Sequence, residues 1–303
     1  MGAFDALTPR LERNVPLAKY TAARLGGPAE LFLLVREPDH APFLEQVIQA
    51  AWDDDIPVRV LGKGSNVLIS DQGVQGLVIV NQLASVQQER QGDTYKVVAS
   101  AGMGLVKLTR YCQQHGIAGI EWAVGVPGTV GGAIVNNAGA HGSDMAASRP
   151  VVTVLEYGRG RVIYTPEQMQ FAYRSTVLKH CQDRRFLVLD AALTLPAGEQ
   201  AAIREKMTHF NAYRTRTQPP GASLGSIFKN PPGDYAGRLI EACGLKGAGI
   251  GGVQVSPVHA NFMVNSAIGT ASDYYALIQH VQNTVLSQQG VQLELEIELL
   301  GEW

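Results

Sequence analysis

Apolar and polar positions along this chain follow two rhythms that succeed each other irregularly. AELFLLVR (29–36) and VRVL (58–61) read as strands, and between them PFLEQVIQAA (42–51) repeats its apolar residues at helical spacing. LVIVN (77–81) and YKVVAS (95–100) are further strands, and LVKLTRYCQQHG (105–116) is a helix with Gly116 as its stop. VTVLEYGRGRVIY (152–164) has the pattern of a hairpin turning at Gly158 and Gly160, and FLVLDAALTL (186–195) is another strand. Residues 199–213 form a mostly polar helix, after which RTRTQPPGASLGS reads as loop. An amphipathic helix follows at 273–288, with Ser272 as N-cap and Tyr274, Leu277, Ile278, Val281 and Val285 as its apolar stripe. VQLELEIELL (291–300) alternates as one last strand with Glu294, Glu296 and Glu298 on one face, by itself the solvated face of an edge strand. Mixed elements of uneven length predict an α+β fold with a domain boundary around 196–218.

Composition narrows the class. The 303 residues are 46% hydrophobic and 17% charged, with a formal net charge of −2, so no basic footprint for nucleic acid exists. Cys112, Cys181 and Cys243 are widely spaced and form no CxxC pair, and the seven histidines show no HExxH spacing. Neither a zinc site nor a disulfide framework is expected, and no metal is called for. No signal-like segment and no membrane-length apolar run is present, so a reducing cytoplasm is the expected location.

Two segments suit a charged ligand held by backbone amides. The first is LGKGSNVLISDQG (61–73), in which Gly62, Lys63, Gly64, Ser65 and Asn66 follow a strand end. The second is VGVPGTVGGAIVNNAGA (124–140), with Gly125, Val126, Pro127, Gly128, Thr129, Gly131, Gly132, Ala133, Asn137, Ala138 and Gly139 as the candidate contacts. Neither matches G-x-G-x-x-G or the P-loop, and either one alone is equally a tight structural turn. Together they favour a large phosphate-bearing cofactor.

Three polar segments could carry chemistry. Arg174 in FAYRSTVLK (171–179) offers a planar fork for a carboxylate, although a lone arginine there also suits a structural ion pair. SLGSIFKNP (223–231) gathers two serines, a lysine and an asparagine, where serines commonly cap or turn. No GxSxG elbow surrounds them, which removes support for acyl transfer. The third is the row of glutamates near the C-terminus.

Seven segments in register resemble the UDP-N-acetylenolpyruvoylglucosamine reductase (MurB) family. They are YTAARLGGPAELF (20–32), LGKGSNVLISDQG (61–73), GVPGTVGGAIVNNAGAHG (125–142), YRST (173–176), RTRTQPPGASLGSIFKNP (214–231), GRLIEACGLKGAGIGGVQVSPVHANFMVN (237–265) and LELEIELLG (293–301). The resemblance implies an FAD-binding region of the vanillyl-alcohol-oxidase (PCMH) type over 1–196, with subdomains of about 1–73 and 74–196. A substrate-binding domain over 197–303 follows, its last strand returning to the FAD region.

The same resemblance implies non-covalent FAD on both glycine loops and NADPH as reductant. UDP-N-acetylglucosamine enolpyruvate is then reduced, in a chain expected to be monomeric and to bind neither membrane nor nucleic acid. Addition of hydride to the vinyl carbon drives charge into the adjacent carboxylate, which calls for preorganised cations and donors. Arg174 matches the family's arginine for that role, and Glu296 matches its glutamate, protonated or sharing a proton when it donates. Ser226 matches the general acid, its alkoxide neutralised by Lys229 or a water. Tyr173, Arg214, Lys229 and Asn230 match substrate-binding positions; Gln254, His259 and Asn261 lie in matching segments without an assigned role. One strand and one helix account for 177–213, which leaves no room for the extra tyrosine-bearing loop of some members and implies the shorter class. The rival readings are an FAD-dependent oxidase of the same superfamily, a non-catalytic flavin module, and a phosphate-loop kinase, which lacks the full motif.

Overall fold

The computed structural model describes residues 2–266 and 268–303. In chain order its first elements are β1 (Glu12–Pro16), β2 (Pro28–Val35), α1 (Ala41–Asp53), β3 (Val58–Leu61), β4 (Val67–Ile69) and β5 (Val74–Asn81). Next come β6 (Val86–Gln91), β7 (Thr94–Ser100), α2 (Leu105–Gln114), α3 (Val130–Val135), β8 (Gly139–Ala140), β9 (Ser143–Asp144), β10 (Val151–Glu156) and β11 (Gly160–Tyr164). Then follow α4 (Val177–His180), β12 (Phe186–Pro196), α5 (Gln200–Thr217), β13 (Ala222–Ser226) and α6 (Ala236–Ala242). The last are β14 (Gly249–Ile250), β15 (Val253–Val255), β16 (Phe262–Asn265), α7 (Ala271–Gln289) and β17 (Glu298–Leu300).

Two compact units share these elements. The first comprises residues 1–11, 33–63 and 78–214; the second comprises 12–32, 64–77 and 215–303. The first is built on an antiparallel sheet in the order β11-β10-β12-β7-β6. Its central strand β12 pairs with β7 from Asp190↔Ser100 to Pro196↔Thr94, and the alternating Ala191, Leu193 and Leu195 point into the core. Leu105, Leu108 and Cys112 of α2 and Val130, Ala133 and Ile134 of α3 complete that core at the spacing of helical faces.

The second unit has the sheet order β13-β16-β15-β14, with α7 laid against it. Tyr274, Leu277, Ile278, Val281 and Val285 are all fully buried, as their spacing predicts. Burial contributes about 1.5–3 kcal/mol for each large apolar side chain. Tyr274 remains compatible with that core because its hydroxyl donates to the Met263 carbonyl at 2.9 Å.

Four expectations change. α7 starts at Ala271, capped by Thr270 and not by Ser272; Asp273 at the third position closes a capping box with Thr270. Asp71 accepts from the Ala271 and Ser272 amides at 2.9 and 2.8 Å, which takes up two further open donors. α5 continues through RTRT to Thr217, since nothing breaks a helix before Pro219 and Pro220, and ASLGS forms β13 instead of loop. The C-terminal run is not one strand. It changes partner, first by a bridge of Leu295 with Phe228 and then by the parallel pairing of β17 with β4.

The units also cut the chain differently from the expected 1–196 and 197–303. α5 as far as Arg214 belongs to the first unit, where Gln200 donates to the Gln114 carbonyl and Phe210 stacks on His141. Residues 12–32 and 64–77 belong with the C-terminal part, where Asn265 donates to the Ala23 carbonyl and β4 holds β17.

Candidate functional site

The first unit holds an open backbone loop ahead of α3. A Cβ on Gly62 would sit 2.3 Å from Thr129 Oγ1, so the Gly62–Lys63 corner and the Thr129 cap can meet only with glycine at 62. Val130 and Gly131 donate to the Met103 and Ala101 carbonyls at 2.9 and 2.8 Å. The amides of Gly128 and Thr129 donate to no protein acceptor among the described residues. Lys63 Nζ lies 3.1 Å from the Cβ position of Gly104, and no carboxylate pairs with it among the described residues. Two adjacent open amides with an ammonium group nearby are what an anion such as a diphosphate requires. Gly132 is exposed, and a Cβ there would meet only Thr129 Oγ1, at 3.7 Å.

Other residues of this run serve the fold itself. Asn137 is buried, and its amide donates to Asp144 and the Ala172 carbonyl while accepting from the Ala146 amide, so its side chain is taken up by protein. At 131 and 139 a Cβ would collide with Ala101 and with Ser143 and Asp144, so the protein itself requires glycine there. Ala133 is buried, Val126 and Ala138 pack on the core, and Pro127 is exposed. Gly125, at φ +70°, lies against Arg214, whose Nε is 3.2 Å from the Cβ position. Burial holds the Arg214 guanidinium below its ordinary value, and no acidic group among the described residues counters it.

Arg174 sits at the corner of a tight turn. Ala172 and Ser175 exchange backbone hydrogen bonds of 3.0 and 3.1 Å, leaving Tyr173 and Arg174 as the two turn residues. Arg174 takes φ +53°, a conformation that normally selects glycine. Its guanidinium donates to the Gly139 carbonyl at 3.1 Å and the Asn137 carbonyl at 3.5 Å, which ties the turn to the end of the glycine run. Tyr173 is more than half exposed, with its ring 5.4 Å from the Arg174 guanidinium carbon.

Ser226 and Glu296 lie together in the second unit. β13 pairs with β16 at Ser223↔Val264 and then at Ser226↔Phe262, so three steps on one strand oppose two on the other. Gly225 at φ +78° makes this bulge possible and re-aims Ser226. The next residue, Ile227, accepts from the Glu296 amide at 2.8 Å, and Lys229 donates its amide to the Glu294 carbonyl at 2.9 Å. Glu296 is half-buried, whereas Glu294 is exposed and binds Lys229 Nζ at 3.3 Å. The Lys229 ammonium group is therefore paired with a carboxylate. Asn230 accepts from the Ala236 amide at the start of α6.

In this unit Gly64 has φ +54° and its carbonyl accepts from the Ala22 amide at 2.9 Å. Ser65 is half-buried. Asn66 donates its side-chain amide to the Glu296 carbonyl at 3.1 Å, and its backbone carbonyl accepts from the Glu298 amide, so this residue also holds the glutamate strand.

The chain is similar to known proteins over nearly its whole length. Residues 217–300 match the UDP-N-acetylenolpyruvoylglucosamine reductase C-terminal domain, and residues 32–161 match an FAD binding domain. The reductase of Rubrobacter xylanophilus is 40% identical over 301 residues, covering 99% of each chain. The chain belongs to the UDP-N-acetylenolpyruvoylglucosamine reductase family. Reductase 2 of Symbiobacterium thermophilum is 41% identical over 298 residues, covering 96% of this chain and 92% of that protein. The crystal structure of the Thermus caldophilus enzyme aligns with TM-score 0.79 at 33% identity, over 96% of this chain and 99% of that one. The fold is therefore an FAD-binding domain of the PCMH type with the family's C-terminal domain, as the motifs implied.

Asn261 received no role in the sequence reading. It is buried, and its side chain binds both backbone groups of Phe228. An asparagine between HA and F carries no signal of this in one dimension, because the partner lies 33 positions away.

Proposed function

We propose that this flavin-dependent reductase of peptidoglycan precursor synthesis uses NADPH to convert UDP-N-acetylglucosamine enolpyruvate to UDP-N-acetylmuramate. The observation that carries the reading is family membership over the full chain, combined with a serine re-aimed by a glycine bulge beside the Glu296 strand. The open amides of Gly128 and Thr129, with Lys63, fit the diphosphate of FAD. Bound there, FAD would supply the redox chemistry that links NADPH to hydride addition at the enolpyruvyl carbon.

The chain's own residues manage charge and protons. Arg174 and Glu296 stabilise the negative charge that develops on the substrate carboxylate. Ser226 Oγ gives its proton to the carbon beside that carboxylate and regains one from water, since Lys229 is paired with Glu294. Arg214, a half-buried cation with no acidic partner among the described residues, receives the substrate diphosphate. Tyr173 and Asn230 line the substrate. Residues 177–213 hold α4, β12 and α5, which supports the shorter class without the tyrosine loop.

An anaerobic two-step assay tests this. NADPH bleaches the bound flavin, and the enolpyruvyl sugar nucleotide restores its colour; failure of the second step refutes the assignment. Ser226→Ala leaves bleaching intact and slows recolouring by about 10²–10⁴, the usual worth of a general acid. Equal slowing of both steps would make Ser226 structural.

A further inference from the structure

Four residues hold the segment that carries Ser226, and one side chain has an unusual share of that work. On one side, Glu296 donates its amide to the Ile227 carbonyl and Glu294 accepts from the Lys229 amide. On the other side, the ladder with β16 runs out after Ser226↔Phe262. Ile227 still reaches the Asn261 carbonyl, at 2.9 Å. Beyond it no strand backbone continues, and the side-chain amide of Asn261 takes its place. Oδ1 accepts from the Phe228 amide at 2.9 Å, and Nδ2 donates to the Phe228 carbonyl at 2.8 Å.

The Asn261 side chain thus acts as a substitute peptide group, with donor and acceptor set for one residue of the neighbouring segment. Asn261 is only 4% exposed and Phe228 1%. Water cannot replace these bonds, so the alternative to them is two unsatisfied buried backbone groups. Asn261 is itself fixed by His259, whose Nδ1 accepts the Asn261 amide at 3.2 Å, placing the ring proton on Nε2. Burial, with Lys246 assisting, keeps that imidazole below its ordinary pKa, against opposing contributions from a backbone hydrogen bond and Glu241. A neutral ring is what an accepting Nδ1 requires.

We propose that Asn261 is a positioning residue for proton delivery, its amide clamping Ile227–Phe228 so that Ser226 and the Glu296 strand keep the register the substrate step needs. This rests on the reading of Ser226 as proton donor. A displacement of about 1 Å at such a donor costs up to about 10²-fold in rate.

The test uses the flavin-loaded enzyme in two half-reactions. Asn261→Asp keeps an acceptor for the Phe228 amide but opposes a carboxylate oxygen to the Phe228 carbonyl. The expected result is a ten- to hundredfold slower reoxidation by UDP-N-acetylglucosamine enolpyruvate, with flavin reduction by NADPH and the flavin spectrum unchanged. kcat falls while KM for the enolpyruvyl substrate stays within threefold, and the solvent deuterium isotope effect on reoxidation grows. In the Ser226→Ala background, Asn261→Asp causes no further loss. Independent, additive losses would overturn the proposal, as would equal slowing of both half-reactions. If Ser226→Ala slows reoxidation and Asn261→Asp does not, this inference fails alone; if Ser226→Ala has no effect, the underlying reading fails. Should Asn261→Asp not fold, His259→Ala decides, with three- to tenfold slower reoxidation expected and an unchanged rate refuting the clamp.

Discussion

Arg174 allows stability and catalysis to be separated at one position. Its φ of +53° costs a residue bearing a Cβ about 1–2 kcal/mol, and glycine escapes that cost. Glycine gives back about 0.5–1 kcal/mol through its freer unfolded chain. Arg174→Gly and Arg174→Ala both lose the hydrogen bonds to the Gly139 and Asn137 carbonyls, so those bonds cancel in the comparison. The glycine variant should therefore be more stable than the alanine variant by about 1 kcal/mol, or roughly 1–2 °C in Tm for a protein of this size. Both should lose about 10²–10³ in the reoxidation rate, the scale of one removed charge-stabilising donor. Calorimetry of the two variants, with stopped-flow reoxidation, measures both effects. An alanine variant as stable as the glycine variant would show that the turn carries no strain. Reoxidation within fivefold of the parent in either variant would remove Arg174 from the chemistry.

Other consequences can be checked separately. Asp71→Ala removes three bonds to the start of α7, from the Ala271 and Ser272 amides and the Ser272 hydroxyl, and should cost about 1–2 kcal/mol in urea unfolding while leaving kcat unchanged. Gly62→Ala places a Cβ 2.3 Å from Thr129 Oγ1, forces the two segments apart, and should release flavin on gel filtration; full flavin retention would refute the close approach. Burial, then Glu121, pushes the Cys112 thiol up from 9.0 to about 12. Between those values the unfolded chain has lost a proton that the folded chain keeps, so stability declines as pH rises, by about 1.4 kcal/mol per pH unit. Cys112→Ala should remove that slope between pH 9 and 11, measured by urea midpoints; an unaltered slope would mean the thiol ionises in the fold.

Local periodicity made much of this molecule legible. The stripe of α7, the hairpin of β10 and β11 and the strand β12 all rest on neighbours in sequence, where apolar spacing decides the face. The glycine runs were recognisable as close backbone approaches, but not their causes. Gly62 is required by Thr129 and Gly139 by Ser143, which only the folded chain reveals. The C-terminal alternation misled for a related reason. Leu293 and Ile297 are buried as a strand pattern demands, yet the run switches partner between them and β17, and alternation cannot report a change of partner. Thr270 and Ser272 offer the same hydroxyl to a helix start, and only the reciprocal bond from Asp273 selects the former.

The pairing of β4 with β17 sets a timetable for biosynthesis. Asn66 and Glu296 are bonded across 230 positions, and β17 follows just after that glutamate. An emerging polypeptide can close the core of the first unit while still tethered, because its last segment ends at Arg214. The second unit cannot. Its β4 must wait, with an edge unpaired, until β17 has been synthesised and has emerged, so the Glu296 strand reaches its place late in synthesis.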